Sequence, residues 1–303
     1  MRNFTELPMQ FSKLLPQIRL QFEEPMAKHT SFKIGGPAEV MAFPKNALEL
    51  SEILKTSALL DLKPAILGAG TNILAPDAGL SGLVICMKDF AEAPQRLNET
   101  DIRVWAGMSM ASAAVFAAGQ ELSGLEFAHG IPGSVGGGVY MNAGAYGGEI
   151  ADVCKSVDIM DYTGNISTLF REELDFSYRH SCLEGKAAIV LSVVFSLSHA
   201  PIDQIKGKMQ ELMQRRRASQ PLELPSAGSA FKRPAGGYAA ALIDEAGLKG
   251  FGVGGAAVSE KHAGFVVNLG GASADDVVSL LTQVSDIVFH RTGIRLEPEV
   301  RIW

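Results

Sequence analysis

From residue 130 to residue 148 the chain carries no charged side chain and is dominated by Gly, Ala and isolated hydrophobic residues. A connection of this length without charge is not a simple surface link. It begins Gly130-Ile-Pro-Gly-Ser-Val-Gly-Gly-Gly138 and runs on to Met141-Asn-Ala-Gly-Ala-Tyr146. A shorter loop, Leu67-Gly-Ala-Gly-Thr-Asn-Ile-Leu74, directly follows a run that reads as a strand. Glycine lets backbone N–H groups turn toward one point and lets an anion come close. A diphosphate is the natural guest of such loops, with Thr71, Asn72 and Ser134 as side-chain donors. For the short loop taken alone, a tight turn is the simpler reading.

Neither standard nucleotide signature is present. Gly68-Ala-Gly70 lacks the third glycine of a dinucleotide fingerprint, because Ile73 stands there. Gly250-Phe-Gly-Val-Gly-Gly255 has the spacing but leads into Ala-Ala-Val-Ser rather than a helix, so it is a chance match. Gly185-Lys186 and Gly207-Lys208 lack the Ser or Thr of a P-loop.

Composition narrows the class. With 27 Lys and Arg against 33 Asp and Glu the net charge is −6, which disfavours nucleic acid and membrane surfaces as partners. Three scattered cysteines, Cys86, Cys154 and Cys182, form no disulfide framework or CxxC metal motif, so no metal is expected and a reducing cytoplasm fits. The first twenty residues, broken by charges and prolines, lack a signal-peptide core, and no run is long enough to span a membrane.

The pattern of elements is mixed. Asn46 can cap a helix over 46–60 that aligns Leu50, Ile53 and Leu54. Strands are expected at 65–67, 83–87, 102–105, 153–161 and 187–197, the last too continuously apolar for a sheet edge. A small-residue helix is expected at 109–121, and structured loop over 124–148. After Pro201, Ile205, Met209, Leu212 and Met213 mark an amphipathic helix. Ser273 and Asp276 have capping-box spacing ahead of Val277, Leu281, Val284 and Val288, and short strands are expected at 295–296 and 300–302. Without regular βαβ alternation the class is α+β, divided as 1–85, 86–200 and 201–303.

The order and spacing of several motifs resemble the UDP-N-acetylenolpyruvoylglucosamine reductase (MurB) family of peptidoglycan synthesis. They are Ser31-Phe-Lys-Ile-Gly-Gly-Pro37, the two glycine loops, Phe176-Ser-Tyr-Arg179, Ala227-Gly-Ser-Ala-Phe-Lys232, Gly254-Gly-Ala-Ala-Val-Ser-Glu-Lys-His262 and Leu296-Glu-Pro-Glu-Val-Arg301. The resemblance implies a two-lobed FAD-binding domain of the vanillyl-alcohol-oxidase (PCMH) type, with lobes 1–85 and 86–200. A C-terminal α+β substrate domain, 201–303, follows. It implies a cytoplasmic, monomeric enzyme with non-covalent FAD. NADPH would reduce the flavin, which would reduce UDP-N-acetylglucosamine enolpyruvate to UDP-N-acetylmuramate. The implied FAD contacts are Gly68, Ala69, Gly70, Thr71, Asn72 and Ile73 in the first loop, and Gly130, Pro132, Gly133, Ser134, Gly137, Asn142, Ala143 and Gly144 in the second. An FAD oxidase of the same superfamily is the alternative, but it would not need the Ser229 and Glu299 motifs.

Hydride addition to the enolpyruvyl methylene leaves negative charge beside a carboxylate, so the reaction needs a cation, a hydrogen-bond donor and an acid. The resemblance gives these roles to Arg179, Glu299 and Ser229. Arg179 offers a permanently charged fork. Glu299 serves best as a neutral acid donating a hydrogen bond, and Ser229 is the proton donor to carbon. Substrate contacts are expected from Lys232, His262 and Arg233, the last where many members have Asn. Arg215–Arg217 read as a solvated helix end and His29 as structural. Only residues 180–186 separate Arg179 from the next strand, which resembles the short form of the family that lacks a Tyr-bearing lid.

Overall fold

The computed structural model describes residues 6–235 and 237–303. Helices and strands intermingle along the chain, giving an α+β protein. The chain forms two compact units. One gathers the segments up to Gln21, Val40–Ala69 and Gly82–Arg215; the other gathers Phe22–Glu39, Gly70–Ser81 and Arg216–Trp303. Two stretches of the first 85 residues thus cluster with the C-terminal part. The last crossing point lies inside the Ile202–Ser219 helix. Among the described residues no helix is long and apolar enough to cross a membrane.

The first unit is organised by the Ala188–Ser196 strand. It lies in the middle of a five-stranded antiparallel sheet, flanked by Cys154–Asp161 and Ile166–Phe170 on one side and Asp101–Trp105 and Gln95–Arg96 on the other. Seven consecutive buried residues fit that central position. Asp158 faces Ser192 while Ile159 faces Val190, so Leu191 is an extra residue in this strand. This bulge reverses the alternation of side chains. Ile189 and Leu191 therefore enter one core with Phe11, Leu50, Ile53 and Leu54, whereas Val193 and Phe195 enter another with Val104, Val157 and the alanines of the Met110–Gly119 helix. Asn46 caps the Ala47–Leu59 helix by accepting from Glu49 N–H at 3.0 Å, and Ser109 caps Met110–Gly119. Ala65–Leu67 runs parallel to Leu80–Cys86 and ends at the first glycine loop.

The expected loop 124–148 contains a helix, Val135–Tyr140. Its three consecutive glycines hide it from propensity, since Gly is a poor helix former. Ser134 starts it by accepting from Gly137 N–H at 3.3 Å.

The second unit pairs four antiparallel strands in the order Ser226–Ser229, Phe265–Asn268, Ala256–Val258 and Gly252–Val253. The 250–255 glycines therefore open a hairpin, not a nucleotide loop. The Ala274–Thr292 helix carries the expected capping box of Ser273 and Asp276 and buries Val277, Leu281, Val284 and Val288. Near the C-terminus only Arg301–Ile302 forms a strand, parallel to Ile73–Leu74. Residues 295–296 do not form the expected strand. Leu296 is buried, and its carbonyl accepts from the Ser285 hydroxyl at 2.9 Å in place of a strand partner.

Candidate active site

Ser229 closes the Ser226–Ser229 strand, where four residues span the stretch that Phe265–Val267 covers with three. The irregularity includes Gly228 at φ +78, a conformation that favours glycine. A bulge of this kind re-aims the next side chain, and Ser229 is exposed. The chain then runs antiparallel to 297–299. Lys232 N–H donates to Glu297 O at 2.8 Å, Glu299 N–H donates to Ala230 O at 2.9 Å, and Phe231 pairs with Pro298. Ser229 and Glu299 are thereby placed on neighbouring backbones of one unit. Glu299 is half-buried.

The first glycine loop reaches this strand pair from its far side. Asn72 Nδ2 donates to Glu299 O at 3.2 Å, and Asn72 O accepts from Arg301 N–H at 3.0 Å. Ile73 pairs with Arg301, and Gly70 O accepts from Ser31 N–H at 3.0 Å. Asn72 is thus both a candidate cofactor contact and a brace for Glu299, the second being a role that no local pattern signals. Thr71 is half-buried beside it.

Arg179 belongs to the other unit. It is the second central residue of a two-residue turn closed by Ser177 N–H to His180 O at 3.2 Å and His180 N–H to Ser177 O at 3.1 Å. Its φ is +57, uncommon for a side chain of this size, and its guanidinium lies 4.9 Å from the Tyr178 ring. Strained backbone of this sort concentrates at functional sites.

Gly68 and Ser134 bring the two glycine loops together within the first unit. A Cβ on Gly68 would stand 2.5 Å from Ser134 Oγ, so a larger residue would have to displace that hydroxyl. Ala69, Pro132 and Gly137 are exposed, leaving backbone uncovered by large side chains. Gly130 ends a short helical turn, Glu126–Gly130, and the preceding His129 has a buried Nδ1 with no hydrogen-bond partner. Gly133 O accepts from Met110 N–H at 2.9 Å. Ala143 is buried, and Gly144 faces Glu149 in a small hairpin. Asn142 is completely buried, and its side chain is spent on backbone groups of its own unit, namely Ser177 O and Ala151 N–H.

The weaker candidates differ in exposure and pairing. Lys232 is exposed and lies 3.5 Å from Glu297. Arg233 stacks on the Tyr238 ring at 4.4 Å. His262 Nδ1 accepts from Gly264 N–H at 3.1 Å, which leaves Nε2 to carry the proton of the neutral ring. Burial pushes this imidazole below the usual histidine range, with Lys249 acting in the same direction. Arg215 pairs with Glu211, Arg216 is buried, and Arg217 O accepts from Lys261 Nζ at 2.7 Å, so the run is not a free basic patch. His29 is paired with Glu24 at 3.0 Å, consistent with a structural role.

The model of the UDP-N-acetylenolpyruvoylglucosamine reductase C-terminal domain matches residues 220–303, and that of an FAD binding domain matches 38–169. The chain is 48% identical over 299 residues to the UDP-N-acetylenolpyruvoylglucosamine reductase of Agathobacter rectalis, covering 95% of both chains. It is 45% identical over 290 residues to the protein of that name from Caldanaerobacter subterraneus, covering 96% of this chain and 95% of the relative. The crystal structure of the reductase from Thermus caldophilus superposes with a TM-score of 0.79 at 35% identity, covering 95% of this chain and 99% of that one.

Proposed function

Because the chain belongs to the UDP-N-acetylenolpyruvoylglucosamine reductase family, we propose that Arg179, Ser229 and Glu299 share the work of reducing an enolpyruvyl ether. The protein is an FAD-dependent oxidoreductase that converts UDP-N-acetylglucosamine enolpyruvate to UDP-N-acetylmuramate with NADPH as reductant. Bound FAD supplies the acceptor for the NADPH hydride and the donor for the substrate's methylene carbon. The residues present fit such a group. Gly68 against Ser134 and the uncovered backbone at Ala69 and Gly137 make a close-approach surface, and His129, just before Gly130, keeps a buried Nδ1 without a hydrogen-bond partner.

In this reading Arg179 pairs its guanidinium with the substrate carboxylate as charge develops there. Glu299 contributes a hydrogen bond to the same region. Ser229 Oγ–H delivers the proton to the carbon beside the carboxylate. Lys232, Arg233 and His262 hold the remainder of the UDP-sugar. The single observation that supports the reading is the antiparallel pairing of 230–232 with 297–299, which joins the backbone segments that carry Ser229 and Glu299.

The division into flavin lobes 1–85 and 86–200 and a substrate domain 201–303 is part of this proposal, as is the absence of a Tyr-bearing lid after Arg179. So are a cytoplasmic location, a monomeric state and a role in wall synthesis during cell division. The three unpaired thiols, Cys86, Cys154 and Cys182, support a reducing compartment.

Ser229→Ala tests the assignment by rapid mixing. Flavin bleaching by NADPH needs no proton at substrate carbon, so its rate is expected to stay near wild type. Flavin recovery on adding substrate is expected to fall about 10²–10⁴-fold, and less in Ser229→Cys. Recovery at the wild-type rate in Ser229→Ala would remove Ser229 as the donor.

A further inference from the structure

Two side chains help to tie down the turn that carries Arg179: Asn142, expected above as an FAD contact, and Ser181, which has no chemical role in the reading above. Asn142 stands at φ +43 where the Val135–Tyr140 helix stops. Ala143 N–H reaches back to Gly138 O at 2.8 Å and Asn142 N–H to Val139 O at 3.2 Å, the arrangement that ends a helix on a left-handed residue. Glycine would meet that backbone demand equally well. The asparagine side chain does something more. Nδ2 donates to Ser177 O at 3.1 Å, and Oδ1 accepts from Ala151 N–H at 2.9 Å. One partner is an acceptor and the other a donor, so only one orientation of the amide satisfies both. Ser181 ties the other end of the turn. Its buried Oγ–H donates to Tyr140 O at 2.7 Å.

We propose that Asn142 is a positioning residue for Arg179, with Ser181 as its counterpart across the turn. The proposal rests on the assignment of Arg179 above. Its physical basis is the φ of +57 at Arg179. A side-chain-bearing residue holds that conformation only where its surroundings over-determine it. The Ser177 carbonyl receives both the His180 N–H that closes the turn and the Asn142 amide that anchors it. Without the anchor the turn can relax, and Arg179 leaves the place from which it meets the developing charge. A displacement near 1 Å is enough to cost about 10²-fold in such a geometry. The arrangement also connects the end of the second glycine loop to the cation, so that one piece of backbone frames both.

The test uses FAD-loaded wild type, Asn142→Gly, Arg179→Ala and the double variant in rapid mixing. Gly is chosen because it keeps the left-handed helix stop. Asn142→Gly is expected to slow substrate-driven flavin recovery about 10- to 100-fold more than it slows bleaching by NADPH. It is expected to add little when Arg179 is already Ala, because residues acting as a unit are non-additive. A second readout does not depend on turnover. Trypsin cleavage after Arg179, followed by mass spectrometry, is expected to accelerate in Asn142→Gly while cleavage at other sites keeps its rate. Equal slowing by Asn142→Gly with and without Arg179, or no slowing at all, would overturn the proposal. Wild-type recovery in Arg179→Ala would instead overturn the assignment of Arg179, and the two failures are thereby distinct. If Asn142→Gly loses its fold or its FAD, Ser181→Ala and its double variant with Arg179→Ala give the same cycle, judged by the same outcomes.

Discussion

The amide of Glu299 donates a 2.9 Å hydrogen bond to the carbonyl of Ala230, the residue that follows Ser229. Two short motifs from distant parts of the sequence therefore share one ladder of backbone contacts. The relative placement of the two backbone segments is set by main-chain hydrogen bonds, which survive most side-chain substitutions. Variants at either position then report chemistry rather than collapse of the site.

Glu299→Gln is expected to retain FAD and substrate binding and to reduce substrate more slowly than wild type. A Gln amide still donates a hydrogen bond, so Glu299→Ala is expected to be the slower of the two. Loss of one donor of this type costs about 2.7–4 kcal/mol in favourable cases. Steady-state turnover of the three proteins checks this, and equal rates would take Glu299 out of the mechanism.

Asn72→Ala removes the Nδ2 donor to Glu299 O and leaves the Asn72 carbonyl on Arg301 N–H. The loss of one net hydrogen bond, ~1 kcal/mol, is expected to appear in kcat for substrate, with FAD retained. If FAD is lost and kcat of the reloaded enzyme is normal, Asn72 serves the flavin and not Glu299.

Acid stability isolates a different pair. The Lys155 ammonium, 2.6 Å from the buried Asp101 carboxylate, together with Asn98, holds that carboxyl down at about 2 against the opposing cost of burial. A folded-state value below the unfolded one stabilises the fold above the unfolded value, and the contribution disappears as pH falls through the folded value. Wild type is therefore expected to exceed Asp101→Asn by up to about 2 kcal/mol at pH 7, with the gap closing between about pH 4 and pH 2. Urea unfolding of both proteins across that range reads the difference, and a gap independent of pH would contradict the pairing.

Much of this was legible in residue patterns, and the exceptions share a cause. Asn46, Ser109 and Ser273 announce their helices because capping is local. The central place of Ala188–Ser196 is written in its apolar run, interrupted only by Ser192. The Val135–Tyr140 helix was not legible, because glycine at three successive positions erases the propensity signal while Ser134 capping and packing restore the helix. The resemblance carried Arg179, Ser229 and Glu299, yet Asn72 and Asn142 read only as cofactor contacts and not as braces. Their partners, Glu299 O and Ser177 O, are backbone atoms far along the chain, and no sequence period points to them. For the same reason the grouping of Phe22–Glu39 and Gly70–Ser81 with the C-terminal unit follows from tertiary contacts and not from composition.

The most direct measurement is an anaerobic absorbance titration of the purified protein. The account predicts a yellow protein that releases FAD on denaturation, is bleached by NADPH, and recovers its oxidised spectrum on adding one equivalent of UDP-N-acetylglucosamine enolpyruvate. A folded protein that takes up no FAD, or one whose flavin NADPH bleaches and the enolpyruvyl substrate leaves bleached, would contradict it.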